Sequence, residues 1–321
     1  MARLRAISAS DGGTGDDQPI RAHVVEEMIS ECPIIDALEF RSILGNSTTE
    51  TVDTVVTGSG EMRTPGNDYT ASAYSPSETT SALRILGDKF TVDQAYQRRF
   101  PGRTLASRFA TEAGKTGRSI ARHLVNELVN GDNVSPNVNG IKTQATGGQL
   151  ITAAANGLSV VLGSDNTAKI AHQTFLARLD ELIAAVPGCQ GLMMNRQQIA
   201  RLKAIAREYL SVDNIQDVFG RNQEIITYNG LPVYNAGMAK DNTTQVLPNN
   251  EVVGSSGAVC SSVYAFACGE ESDLSVITST GLSVKVLGLV GQNYVGNIEI
   301  DINTLLYSAR AIARLQGVII S

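Results

Sequence analysis

One stretch carries a longer apolar stripe at helical spacing than any other part of the chain. It is Arg103–Asn130, RTLASRFATEAGKTGRSIARHLVNELVN. Leu105, Phe109, Ala113, Ile120, Leu124 and Leu128 fall on one side, and Arg108, Lys115, Arg118 and Arg122 on the other. About 28 residues rising 1.5 Å each span roughly 40 Å, so the pattern predicts a beam that other elements lie against. A glycine-studded turn, GDNVSPNVNG, follows it at 131–140.

Three more helices are readable. Pro19–Glu31 is short, with Pro near its start. Thr167–Val186 buries Ile170, Phe175, Leu179, Leu182, Ile183 and Val186, and Pro187-Gly188 ends it. Asn195 caps a helix running to about Tyr209, with Gln198 at the capping-box position. Strands are expected at Gly191–Met194, in a hairpin from Ile225 to Tyr234 around Asn229-Gly230, and at 259–267, 274–277, 282–289 and 294–306. Residues 309–320 close the chain. Pro33–Leu44 reads as apolar and extended, with nothing adjacent in sequence to cover it, and Gly147–Gly163 reads as short mixed pieces. Helices and strands interleave without a regular βαβ repeat, which gives a mixed α+β class.

Residues 46–82 break this pattern. Fifteen of the 37 are Ser or Thr, and large apolar side chains are few. Thr51–Thr57 and Ser81–Val92 read as strands, with turn signals at Gly58–Gly60 and Pro65-Gly66. A two-stranded excursion of this size is marginal alone in water. Either a partner supports it or it is a floppy insertion, and the pattern leaves both open. Residues 1–18, with DGGTGDD, read as disordered in isolation.

Composition narrows the function. With 26 Lys+Arg against 32 Asp+Glu the net charge is −6, and 42% of residues are hydrophobic. An acidic chain is a poor non-specific nucleic-acid binder, since that binding rests on Lys and Arg neutralising phosphates. No apolar run reaches membrane-spanning length, and MARLRAISASDGG lacks the apolar core of a signal peptide. Only 18% of residues are charged, which suggests that much of the surface does not face bulk water. Cys32, Cys189, Cys260 and Cys268 form no CxxC pair and read as small buried hydrophobes. His23, His123 and His172 each sit alone in a helical pattern. No nucleophile elbow, phosphate loop, dinucleotide fingerprint, HExxH or EF-hand loop is present. No catalytic, cofactor-binding or metal-ligating residue is therefore assigned, and no enzyme is expected.

The order of parts, more than any one motif, resembles a known family. The long helix ends in Asn130-Gly131-Asp132, and its turn closes at Asn139-Gly140-Ile141. Leu192-Met193-Met194-Asn195 then joins a strand to a helix, Gly230-Leu231-Pro232-Val233 forms a strand, and 299–315 alternates to its end at Ala311-Ile312-Ala313-Arg314-Leu315. This layout resembles the HK97-type major capsid protein of tailed bacteriophages. The resemblance implies an N-terminal arm at 1–45, an extended (E) loop hairpin at 46–91 lying on a neighbouring subunit, and a peripheral (P) domain at 92–163 with the long helix as its spine. It implies an axial (A) domain at 164–281 and closing strands at 282–321. It further implies self-assembly into pentamers and hexamers of an icosahedral shell around double-stranded DNA, in a virion put together in the host cytoplasm. The partners it implies are copies of the chain itself, a separate scaffold and a portal protein, with weak DNA contact, no membrane, and a decoration protein left open.

Two departures qualify the resemblance. No Lys lies between 46 and 88, Lys89 being the first, so the Lys-to-Asn isopeptide weld of some family members is not expected. Only about 45 residues precede the loop, where other members carry a long cleaved scaffolding segment, so a separate scaffold protein, or none, is expected. Within the spine, Gly114 and Gly117 read either as seats for a neighbouring element or as a bend point during shell expansion. The Arg108, Lys115, Arg118 and Arg122 row reads either as a solvated face or as a face toward packaged DNA. An encapsulin-type compartment, or a monomeric α+β enzyme or binding module, are the other function classes. Residues 1–91 argue for the phage over the encapsulin, since encapsulins as a family lack so long a free arm and loop.

Overall fold

The structure, a computed structural model, describes residues 18–52, 62–69, 77–100, 104–160, 163, 165–209, 226–255, 257–269 and 272–320. Its first half runs α1 (Gln18–Glu31), α2 (Ile34–Ala37), β1 (Phe40–Ser42), β2 (Ser47–Val52), β3 (Ser77–Ala82), β4 (Arg84–Asp93), α3 (Ala95–Arg99), α4 (Leu105–Asn130), α5 (Ile141–Gln144), β5 (Leu150–Thr152) and β6 (Leu158–Ser159). The second runs α6 (Asn166–Ala184), β7 (Gly191–Met194), α7 (Arg196–Tyr209), β8 (Ile226–Tyr228), β9 (Leu231–Asn235), β10 (Glu251–Val252), β11 (Val259–Phe266), β12 (Leu274–Thr278), β13 (Leu282–Val290), β14 (Asn293–Leu306) and β15 (Ile312–Ile319).

The beam is α4. Thr104 caps it by accepting from the Ser107 N–H, and 26 residues follow without a break. Phe109, Ala113, Ile120, Leu124 and Leu128 are buried along it, while Leu105 is partly covered. One five-stranded sheet lies against it. In that sheet β14 pairs with β13 over residues 293–300 and with β4 over 293–302, and its last residues, 303–306, pair with β12, which carries β1 on its other side. A second, eight-stranded sheet runs β5-β15-β11-β7-β9-β8, with β6 on β15 and β10 on β11. Its two faces belong to different cores. Phe266 and Ile312 face α4 and its neighbours, whereas Val263, Ala265, Ala313 and Leu315 face α6 and α7.

Local sequence explains the second core's elements. Asp165 caps α6 by accepting from the Ala168 N–H. Asn195 caps α7 as a full capping box: its Oδ1 accepts from the Gln198 N–H at 2.7 Å, and its own N–H donates to Gln198 Oε1 at 3.0 Å. The β8–β9 hairpin turns on Asn229 (φ 51°) and Gly230 (φ 77°), both in the left-handed region that a two-residue turn of this hand needs.

Several expectations need correcting. Pro33–Leu44 is not extended throughout. Ile34–Ala37 makes a helical turn, and Ile34, Ile35 and Phe40 are buried in the chain's own core. Ile170 does not belong to the buried stripe of α6 and is 55% exposed; it faces away from Phe175 and Leu179. The first strand of the excursion begins at Ser47 rather than Thr51, and the return strand is two pieces parted at Leu83. Residues 53–57 of the expected first strand lie outside the described residues, as does the DGGTGDD segment.

Candidate functional site

With no catalytic cluster to build on, the surfaces that could hold a neighbour are the site to examine. The first is the N-terminal helix. The resemblance implies a free arm over residues 1–45, and Pro33–Leu44 has nothing adjacent in sequence to cover it. Instead Val24, Val25, Met28 and Ile29 of α1 are buried, and the helix lies along α4. The seat is made by glycine. A Cβ on Gly117 would stand 2.8 Å from Val24 Cγ1, and one on Gly114 would stand 3.0 Å from His23 Nε2. Of the two readings of these glycines, close packing of a neighbouring element is the one the geometry supports.

The same contact rewrites the cation row. Arg118 pairs with Glu27 at 3.3 Å and Arg122 with Glu31 at 2.7 Å, both carboxylates on α1. Arg108 and Lys115 share Glu112 at 2.6 and 3.1 Å on α4 itself. The row is therefore neither a simple solvated face nor a bare cationic stripe. No periodicity in residues 103–130 could have found this, since the acids stand about 90 positions away.

The second surface is the excursion. β2 and β3 form their own two-stranded sheet from Ser47↔Ala82 to Val52↔Ser77. Its root is fixed. The Leu83 N–H donates to Asn46 O at 2.8 Å. Arg41 donates to Glu50 Oε1 at 3.0 Å and to the Tyr307 hydroxyl, and Ile43, Ile277, Leu305, Tyr307 and Leu83 pack into a small cluster beneath. Beyond the root, Met62 and Tyr69 stand fully and 60% exposed. A third surface lies on the β13 edge strand, where Val286, Leu287, Leu289 and Val290 are 41–55% exposed.

The turn after α4 is tightly built. A Cβ on Gly131 would come within 2.2 Å of Val138 O, and one on Gly140 within 2.5 Å of the Gly131 N, so both positions require glycine. Asp132 accepts from the Val134 N–H and from Asn137 Nδ2. These bonds hold its carboxyl below the usual carboxylate range.

Titratable chemistry elsewhere is structural. Glu251 receives Lys142 at 2.9 Å, Arg314 at 2.8 Å and the Ser262 hydroxyl. Burial pushes its carboxyl up, and these partners outweigh that and lower it. Burial, with a smaller push from Glu31, raises the Cys32 thiol to about 12. All four cysteines are free. Among the described residues no three His, Cys, Asp or Glu side chains group as metal ligands, and no helix is long and apolar enough to cross a membrane.

No protein-family model matches the chain, and no curated protein matches it. Solved structures do. A chain of the holo-SrpI encapsulin complex from Synechococcus elongatus PCC 7942 superposes with a TM-score of 0.59 at 15% identity, covering 90% of this chain and 88% of that one. The capsid of the empty GTA particle gives 0.58 at 14% identity, covering 90% of each chain. The chain has the HK97 capsid fold. A chain of Mycobacterium phage Bobi follows at 0.54 and 12% identity, covering 88% and 89%. At such identities the likeness is one of fold. In HK97 terms α4 is the spine and β2–β3 the E-loop hairpin. The solved relatives are shells, of both capsid and encapsulin type.

Proposed function

We propose that this chain is the major capsid protein of a tailed-phage type of virion, assembling through copies of itself into pentamers and hexamers of an icosahedral shell around double-stranded DNA. The E-loop hairpin carries the reading. It leaves the body from a fixed root, forms a sheet of two strands among the described residues, and holds Met62 and Tyr69 in solvent. An isolated hairpin of this kind is marginal in water, so a neighbouring subunit is its natural support. The apolar edge on β13 offers a second contact of the same kind.

In this reading the body divides at the boundaries 46–91, 92–163, 164–281 and 282–321. Of the N-terminal 1–45, α1, α2 and Phe40 pack into the chain's own core. The role is structural and not enzymatic. A separate scaffold and a portal complete the assembly, which takes place in the host cytoplasm. The acidic net charge and the paired spine cations support weak contact with the packaged DNA.

The docked N-terminal helix favours a second reading, an encapsulin-type compartment, because it removes the long free arm that spoke for the phage. Particle mass by light scattering, with and without nuclease, separates the two. A megadalton shell with protected DNA supports the capsid. A megadalton shell without nucleic acid supports the compartment. A chain that stays near 34.0 kDa with every candidate scaffold overturns both.

A further inference from the structure

Ala82 at the E-loop root and Asn139 in the turn that ends the spine are 57 residues apart in sequence (139 − 82), yet one buried side chain serves both. Asn303 is 2% exposed. It lies on β14 at the first position beyond the β4 ladder, which ends at Ile302↔Arg84. Its Nδ2 donates to Ala82 O at 2.7 Å, the last residue of the hairpin's return strand β3. Its Oδ1 accepts from the Asn139 N–H at 3.0 Å and from the Thr304 N–H at 2.9 Å. The partners fix the amide's orientation, since a carbonyl must meet the NH2 and two N–H groups must meet the oxygen.

Thr304 completes the join on the turn side. Its hydroxyl donates to Asn139 O and accepts from Gln144 Nε2 at 2.9 Å, while Gln144 Nε2 also reaches Asn139 O at 2.7 Å. Both backbone groups of Asn139 are thus held by consecutive residues of β14. On the hairpin side the Ser81 hydroxyl donates to Thr304 O at 3.4 Å. If Ala82 swings away, a buried donor is left unsatisfied beside the bond that fixes the turn.

We infer that Asn303 is a two-ended latch that sets the orientation of the E-loop hairpin and the geometry of the spine's end turn together. Loosening either end loosens the other. The latch is internal to one chain, so its test does not depend on what the shell encloses.

Hydrogen exchange on the purified full-length chain reads both ends at once, in peptides covering 77–83 and 131–145. Glu50→Ala breaks the Arg41 bond at the hairpin root, far from the turn. Gln144→Ala removes the turn-side donor, far from the hairpin. Each substitution is expected to speed exchange in the opposite segment about fivefold, the low end of measured coupling between sites. Both cross effects are expected to vanish in an Asn303→Asp background, where the oxygen still accepts from Asn139 but nothing donates to Ala82. Should Asn303→Asp fail to fold, Thr304→Val takes its place, and it is expected to speed exchange at 77–83 as well as in the turn. Effects that stay within the perturbed segment, or cross effects that persist in Asn303→Asp, overturn the latch.

Discussion

Gly114 and Gly117 face the same helix three residues apart, but alanine meets different atoms at each. At Gly114 the new Cβ stands 3.0 Å from His23 Nε2 and 3.3 Å from Glu27 Cγ, both on flexible side chains. A rotamer change relieves that contact, leaving the helix-propensity gain of about 1 kcal/mol. At Gly117 it stands 2.8 Å from Val24 Cγ1 and 3.4 Å from Val24 O. Valine in a helix has one strongly preferred rotamer, and the carbonyl cannot turn aside. Overpacking of this kind costs about 1–3 kcal/mol, so the same propensity gain leaves a net loss of up to about 2 kcal/mol. The two substitutions should therefore move stability in opposite directions. Urea unfolding of the unassembled chain measures the difference, and exchange in residues 20–31 shows whether α1 has lifted. Val24→Ala in the Gly117→Ala background should recover part of the loss by removing the clashing methyl. If Gly117→Ala stabilises as much as Gly114→Ala, α1 is not seated as described.

Other consequences follow from single contacts. Asn195→Ala removes the α7 cap together with side-chain bonds to Leu247 O, Asn249 and Ser261, and should lower stability by about 2–3 kcal/mol in the same urea assay. Glu251 has its carboxyl lowered in the fold, so its contribution is present above the ordinary carboxylate pKa near 4.3 and is lost as pH falls through the lower folded value. Acid unfolding should begin below about pH 4 by near-ultraviolet dichroism, and Glu251→Gln should flatten that dependence. Cys32, buried and with its thiol pushed up to about 12, should resist maleimide at pH 8 in the native chain and label on unfolding; fast native labelling would contradict its burial. Leu287→Asp with Leu289→Asp alters exposed positions on β13, and should abolish high-mass particles by light scattering while leaving the melting curve unchanged.

Much of the architecture was legible wherever one residue dictates its own surroundings. The capping box at Asn195 and Gln198, the Asn229-Gly230 turn and the α4 stripe each depend on neighbours within a few positions, and each stands where periodicity or turn chemistry put it. Ile170 misled because its apolar type counted it into the stripe, although at 3.6 residues per turn it lies across the helix from Phe175 and Leu179 and is exposed. The docking of α1 was hidden for a different reason. Its signal is two glycines and two arginines in one segment matched to Val24, Glu27 and Glu31 in another, and no local pattern connects them. Asn303 was invisible likewise: in sequence it is one polar residue in an alternating strand, and only the fold brings Ala82 and Asn139 to it.

The place of β15 sets a clock on biosynthesis. It pairs with β11 on one side and with β5 and β6 on the other, so Leu150–Thr152 has no partner until residues 312–319 have left the ribosome. At roughly 5–20 residues per second, that wait lasts roughly 8–30 s. Throughout it the Phe175 and Leu179 face of α6 has only part of its sheet to cover. A copy cut short before residue 312 lacks the strand that joins the two sides of the sheet and cannot finish its second core. Such a copy stays incompletely folded, so strand order ties completion of the second core to synthesis through residue 319.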